Sequence, residues 1–417
     1  MQIRRDIYLN RLIEKRHNGL VKIITGLRRC GKSYLLFEIF KNWLIKNGVP
    51  QSRIIEIKLD DYANKGLRKP DAIYRHIKKK IKGQAKHYIL LDEVQLLEDF
   101  AEVLNGLLHI PNADIYVTGS NAKFLSKDIA TEFRGRGDEM RLNPLSFMEF
   151  MSVFNGSRQE GFTEYMTFGG LPAAALMTSP QAKAEYLKKI FSETYLIDLL
   201  ERNRIKKTEE LETITDMLAS ASGSLTNPKK IADSFASIRG IKINQSTVKK
   251  YIGHLCDAFI ISEAKRYDVK GKKYLSTPLK YYFADTGLRN ARLNFRQLEE
   301  THAMENIIYN ELLARQFNVD IGITQANIKN SLGKSERVNY EIDFVANLGF
   351  KRYYIQSAFA IPDRQKMIQE ERPLMLAKDS FKKIIVQRNS VVPYYTQEGV
   401  LIIGIEDFLL NPASMDL

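Results

Sequence analysis

The stretch GLRRCGKS, Gly26 to Ser33, limits the fold of this chain more than any other. Two glycines bracket four residues, and a lysine and a serine follow. LVKIIT, Leu20 to Thr25, precedes it and reads as a buried strand. YLLFEIFKNWLIKNG follows, with Leu35, Leu36, Ile39, Phe40, Trp43 and Leu44 at the three and four spacings of an amphipathic helix, and Asn47-Gly48 as its stop. Strand, glycine-rich turn and helix in that order are the context of a phosphate-binding loop. Gly26 and Gly31 let the backbone wrap closely around phosphates, and the loop amides and the helix N-terminus then face negative charge. The expected nucleotide-binding set is Gly26, Leu27, Arg28, Arg29, Cys30, Gly31, Lys32, Ser33 and Tyr34. Lys32 neutralises the outer phosphates and Ser33 ligates Mg²⁺.

Such a loop needs a second carboxylate. HYILLDEVQ, His87 to Gln95, supplies an apolar strand ending in Asp92-Glu93. Asp92 at the strand end holds the metal with Ser33, and Glu93 polarises the attacking water as a general base. A third strand, DIYVTGSN, ends in small polar residues at the edge where open α/β sheets place ligands. Thr118, Ser120 and Asn121 are candidates to sense the outer phosphate. An ordinary strand-to-helix turn with an N-cap explains any one of them equally. Arg134 and Arg136 lie on the glycine-rich FRGRGDEMR stretch and are candidates to stabilise transferred phosphoryl charge, within the chain or across to a neighbour.

At 417 residues the chain is too long for one compact core. Lys and Arg outnumber Asp and Glu by 63 to 49, a formal net charge of +14, which favours a polyanionic partner over a neutral one. Cys30 and Cys256 are the two cysteines and form no metal-ligand pair, so a reducing, cytoplasmic setting is expected. No apolar run approaches a membrane span, and the N-terminus lacks the apolar core of a signal peptide.

GLRRCGKS, ILLDEVQ, VTGSN, GRG, NPLSFMEF and TFGGLPAAAL occur in that order. The chain resembles the AAA-family ATPases of bacteria and archaea that carry a C-terminal domain of unknown function, related to archaeal ATPases of the signal-transduction class. The resemblance implies ATP and Mg²⁺ as cofactors and a helical lid. It also implies that Gly170 to Pro172 match the GxP motif of that class, with Pro172 near the nucleotide.

Residues 173 to 215 are helical by pattern and read as lid and connector. From Leu225 the pattern is helix, turn, helix, strand, Lys270-Gly271 turn and returning strand, which makes a winged helix. Lys249 and Lys250 on its second helix, with Lys270, Lys272 and Lys273 on its wing, suit a phosphate backbone. Any solvated hairpin tip looks similar, and winged helices also bind proteins. The last module begins near Met304. Its helix, with Glu305 and Glu311, precedes strands carrying Asp343 and Gln356, an order similar to the PD-(D/E)XK nuclease fold. That resemblance implies two acids on Mg²⁺ and a lysine two residues beyond the second. Here Gln356 and Ala358 stand in those places, Lys351 or Arg352 are substitute cations, and little or no cleavage is expected.

The expected fold is therefore α/β: a P-loop AAA-like ATPase core over 1–160, a helical lid over 161–210, a winged helix over 211–295 and a restriction-endonuclease-like module over 296–417. The expected function is an ATP-driven switch or motor controlling DNA binding or assembly. Its partners are double-stranded DNA, a protein or further copies of itself, and no membrane. A protein-interaction scaffold and an ATP-gated nuclease are the rival readings.

Overall fold

The computed structural model describes residues 3–119, 135–296, 298–329 and 335–417. They divide into two compact units, the first running to Pro144 and including Asp257–Phe259, the second comprising Leu145–Cys256 and Ile260–Leu417.

The first unit is a parallel sheet with helices. β1 (Val21–Thr25), β2 (Ile54–Lys58), β3 (His87–Asp92), β4 (Ala113–Thr118) and β5 (Gly137–Arg141) lie in the order β2-β3-β4-β1-β5. Every neighbouring pair is parallel. β1 and β3 are buried along their whole length, as strands covered on both faces must be. Ile55, Ile57, Ile89, Leu91, Ile115 and Val117 pack with Ile73, Ile77, Leu104 and Leu107 of the flanking helices. Because the strands are parallel, the residues after β1, β3 and β4 all emerge at one edge.

In the second unit, β6 (Ile261–Asp268), β7 (Lys273–Phe283), β8 (Asn318–Lys329), β9 (Ser335–Leu348), β10 (Lys351–Ala358), β11 (Lys382–Gln387), β12 (Tyr394–Tyr395) and β13 (Leu401–Gly404) form one sheet in the order β12-β13-β11-β10-β9-β8-β6-β7. The helices Thr208–Ser220, Pro228–Arg239 and Gln245–Asp257 precede β6. The expected wing is thus not a free-standing hairpin. β6 pairs with β7 on one side and, through Arg266, Tyr267 and Asp268, with Ile321, Gly322 and Ile323 of β8 on the other. An edge strand left unpaired exposes a row of backbone donors and acceptors, and β8 takes up part of that row. Apart from Asp257–Phe259, the residues expected as lid, winged helix and last module accordingly share one compact unit.

Asp285 joins the GGLP stretch, Gly169 to Pro172, to this unit. It is 3% exposed and accepts from the amides of Gly170 at 2.7 Å and Leu288 at 3.0 Å. The Leu171 and Gly287 amides also bond to it. Asn290 donates to the carbonyls of Met166 and Thr167 at 3.1 and 2.9 Å. A Cβ on Gly169 would meet Asp285 Oδ1 at 2.2 Å, so glycine is required there. Pro172 opens the short helix Pro172–Ala175 at its first position, where a missing N–H costs nothing.

Among the described residues no helix is long and apolar enough to cross a membrane.

Candidate functional site

The P-loop leaves β1 after Thr25 with three left-handed residues, Gly26 at φ 140°, Arg29 at 62° and Gly31 at 100°. A Cβ on Gly26 would lie 2.1 Å from the Leu142 carbonyl oxygen, so the loop is pressed against the chain that follows β5. Cys30, 1% exposed, donates its thiol to the same carbonyl at 3.4 Å and packs as a small apolar residue. Gly26→Ala is expected to cost about 1–3 kcal/mol, since it adds overpacking to a backbone that disfavours a side chain. Denaturant melts of the variant and the parent check this.

Gly31 caps the helix that starts at Lys32. That helix widens to a π-helix over Leu35–Phe40 and returns to α over Lys41–Lys46. Tyr34, 37% exposed, lies on its outer side. Lys32 is 5% exposed, and its ammonium donates to the carbonyls of Gly26 and Leu27, each at 3.0 Å. No carboxylate among the described residues pairs with it. A buried ammonium held only by loop carbonyls is suited to an incoming phosphate oxygen.

The carboxylate edge lies beside it. Asp92, 3% exposed, ends β3 and accepts hydrogen bonds from the hydroxyls of Thr118 and Ser33. Burial pushes its carboxyl up from the usual range, the two hydroxyls pull it back, and Glu93 and Asp60 push it up further. A hydroxyl and a carboxylate already in contact form a hard-oxygen donor pair, which fits Mg²⁺. Glu93 follows at φ 51°, a left-handed backbone strained for glutamate. Its amide donates to Thr118 at 3.0 Å, and the Gln95 amide donates to its carboxylate. Thr118 therefore fixes both acids, which is more than a simple strand end requires.

Arg136 is placed otherwise than expected. β5 runs parallel to β1, with Gly137 opposite Val21 and Arg141 opposite Thr25. Arg136 precedes Gly137, at the sheet edge away from the P-loop, about 16 Å off for a five-residue strand. A side chain does not reach across that distance. Arg136 is exposed and donates to Asn105 at 3.3 Å. A role toward the nucleotide of its own chain is excluded by this register. Arg141, overlooked in the sequence, is the arginine that β5 brings to the P-loop edge, opposite Thr25, with its guanidinium 4.9 Å from the Phe259 ring centroid. Ser120, Asn121 and Arg134 lie outside the described residues.

A second polar cluster lies in the second unit. Glu305 on the Glu300–Ala314 helix and Asp343 on β9 come together. The Asp343 carboxylate accepts from the Ser357 amide at 2.8 Å, and Gln356 accepts from the Asp343 amide at 3.4 Å. Glu311 does not join them. It pairs with Arg315 one helical turn on, at 2.7 Å. Lys351 pairs with Asp416 at 2.8 Å and Arg352 donates to Asn347 at 2.7 Å, so neither is the substitute cation. The ammonium beside Glu305 and Asp343 is that of Lys280 on β7, which sequence reading missed. A lysine in the apolar run LKYYF was its signal. Lys249, Lys250, Lys270, Lys272 and Lys273 are all exposed.

Residues 18–151 match the family model described as an AAA domain, and residues 159–299 match one described as a domain of unknown function (DUF8612). An uncharacterized protein of Haemophilus influenzae is 33% identical over 98% of this chain and 99% of its own. An uncharacterized protein of Methanocaldococcus jannaschii is 27% identical over 97% of this chain and 88% of its own. Among solved structures, the Aeropyrum pernix ORC1 protein in complex with DNA is a loose likeness. Its TM-score is 0.33 at 13% identity, covering 70% of this chain and 92% of that one. With a third of its residues shared along nearly the whole of both chains, this chain belongs to one family with the Haemophilus influenzae protein, and its N-terminal unit is an AAA-family P-loop ATPase domain.

Proposed function

We propose that the protein binds ATP with Mg²⁺, hydrolyses it, and uses the nucleotide state to control how its C-terminal half holds double-stranded DNA. The carrying observation is the junction of a buried, carbonyl-held Lys32 with a Ser33–Asp92 pair and a strained Glu93 at one sheet edge. Lys32 moves from the loop carbonyls to the outer phosphates. Ser33 and Asp92 hold Mg²⁺, which when bound draws charge from the phosphate oxygens. Glu93 accepts the proton of the attacking water. Pro172 as a nucleotide contact rests on the resemblance to the signal-transduction class. Arg136 acts only toward a neighbouring copy's nucleotide, which ties any such role to a homo-oligomer.

The C-terminal half reads as a winged helix joined to a nuclease-like sheet. Its exposed lysines on the Gln245–Asp257 helix and the β6–β7 turn, with the net charge of +14, support a phosphate backbone as ligand. Cleavage is not proposed, because Ala358 stands where the lysine of that fold is expected.

The test is ATP hydrolysis by the full chain with and without double-stranded DNA at two salt concentrations, with Lys32→Ala as control. The expected result is a Lys32-dependent rate that DNA raises and salt lowers. A Lys32-dependent rate that no DNA alters would move the partner from nucleic acid to protein. A rate unchanged by Lys32→Ala would remove the nucleotide site itself.

A further inference from the structure

Lys280 is 4% exposed, on β7, within reach of three carboxylates. Its ammonium lies 2.8 Å from Glu305, 2.7 Å from Glu341 and 3.9 Å from Asp343. These acids come from two elements distant in sequence, the Glu300–Ala314 helix and β9. Tyr282, two residues beyond Lys280 on the same face of β7, donates to the same Glu305 oxygen at 2.6 Å. Asp343 and Glu305 are each 7–8% exposed. Carboxylates so crowded and so dry do not stay ionised together without a cation between them.

We propose that the Lys280 ammonium is the resident cation of this cluster, standing where a divalent ion would otherwise sit, and that removing it turns the cluster into a divalent-cation site. Three features support this. The oxygens available, the carboxylates of Glu305, Glu341 and Asp343, are hard donors of the kind Mg²⁺ and Mn²⁺ take. Glu305 and Glu341 hold the ammonium at hydrogen-bond length, about half an ångström longer than a metal–oxygen bond, and Asp343 stands farther off at 3.9 Å. Among the described residues no three acids converge as a metal set, so the geometry as built is that of a lysine site. Burial pulls the Lys280 ammonium down, but Glu305, Asp343 and Glu341 together push it above its usual range, so it stays charged. The lysine also ties β7 to β9 and the helix, so this charge pairing replaces cofactor binding with a cross-link inside the sheet.

The experiment uses the full chain, stripped of metal and free of nucleotide, with Mn²⁺ as the probe read by electron paramagnetic resonance. Wild type is expected to show no Mn²⁺ binding that Asp343→Asn removes. Lys280→Ala is expected to gain one Mn²⁺ per chain, and Lys280→Ala with Asp343→Asn to lose it again. Thermal unfolding gives a second reading, because Lys280→Ala melts lower than wild type and recovers several degrees on adding Mn²⁺, while the double variant does not recover. Lys280→Arg keeps a cation and should gain no Mn²⁺. Asp343-dependent binding in wild type would overturn the proposal. So would a Lys280→Ala chain that gains no Mn²⁺ site, or one that stays unfolded with Mn²⁺ present.

Discussion

Glu93→Gln is expected to bind ATP as tightly as wild type and to turn it over at least about 100-fold more slowly, the low end of what a positioned general base contributes. The substitution keeps the size of the side chain and an oxygen able to accept from Gln95. It removes only the ability to take a proton. Binding rests on the Gly26–Ser33 loop and on Asp92, and removing the Glu93 charge, which pushes the Asp92 carboxyl up, leaves Asp92 no less ionised. Nucleotide affinity measured by fluorescence titration should stay level while single-turnover hydrolysis falls. Equal rates in the two proteins would show that the water is activated elsewhere. A joint loss of affinity and rate would show that the strained φ of 51° at this position supports the loop rather than the chemistry.

The nucleotide edge was legible because its signals are local. LVKIITG, HYILLDEVQ and DIYVTGSN each carry an apolar run and its terminating residues within ten positions, and parallel pairing then brings the three ends together. β5 was not legible. Its sequence, GDEMR, holds one buried residue, Met140, and it is a strand because β1 pairs with it. Missing that strand is what left Arg136 on a loop free to reach the phosphates and left Arg141 unremarked. The sequence pattern also found Glu305 and Asp343, but it counted Glu311 with them. Spacing does not tell whether an acid faces a distant partner or, like Glu311, an arginine four residues on. Lys280 was hidden by the reading of β7 as one arm of a solvated wing. Its neighbours Tyr281, Tyr282 and Phe283 are all buried, and a lysine inside such a run demands carboxylates from elsewhere in the chain.

Asp285→Ala is expected to lower the stability of the second unit by more than about 3 kcal/mol, since it orphans four buried amides at once. Gly170, Leu171, Gly287 and Leu288 all direct their N–H groups at this carboxylate, and Gly169 beside it has no side chain that could take its place. The carboxylate is itself costly. Burial raises its pKa to about 6, against the pull of the four amides. Between the usual carboxylate range and pH 6 the folded chain therefore holds a proton that the unfolded chain does not. For a group raised in the folded state, stability falls as pH rises through that window and is lowest above it. A shift of about two units corresponds to about 3 kcal/mol. On acidification from pH 7.5 to pH 5, wild type should gain stability relative to Asp285→Asn, whose side chain cannot titrate. Thermal unfolding of the two proteins across that range decides it. Parallel curves would mean that the amides hold the carboxylate ionised throughout, and that the Gly169–Pro172 stretch is clamped by a charge with no pH dependence of its own.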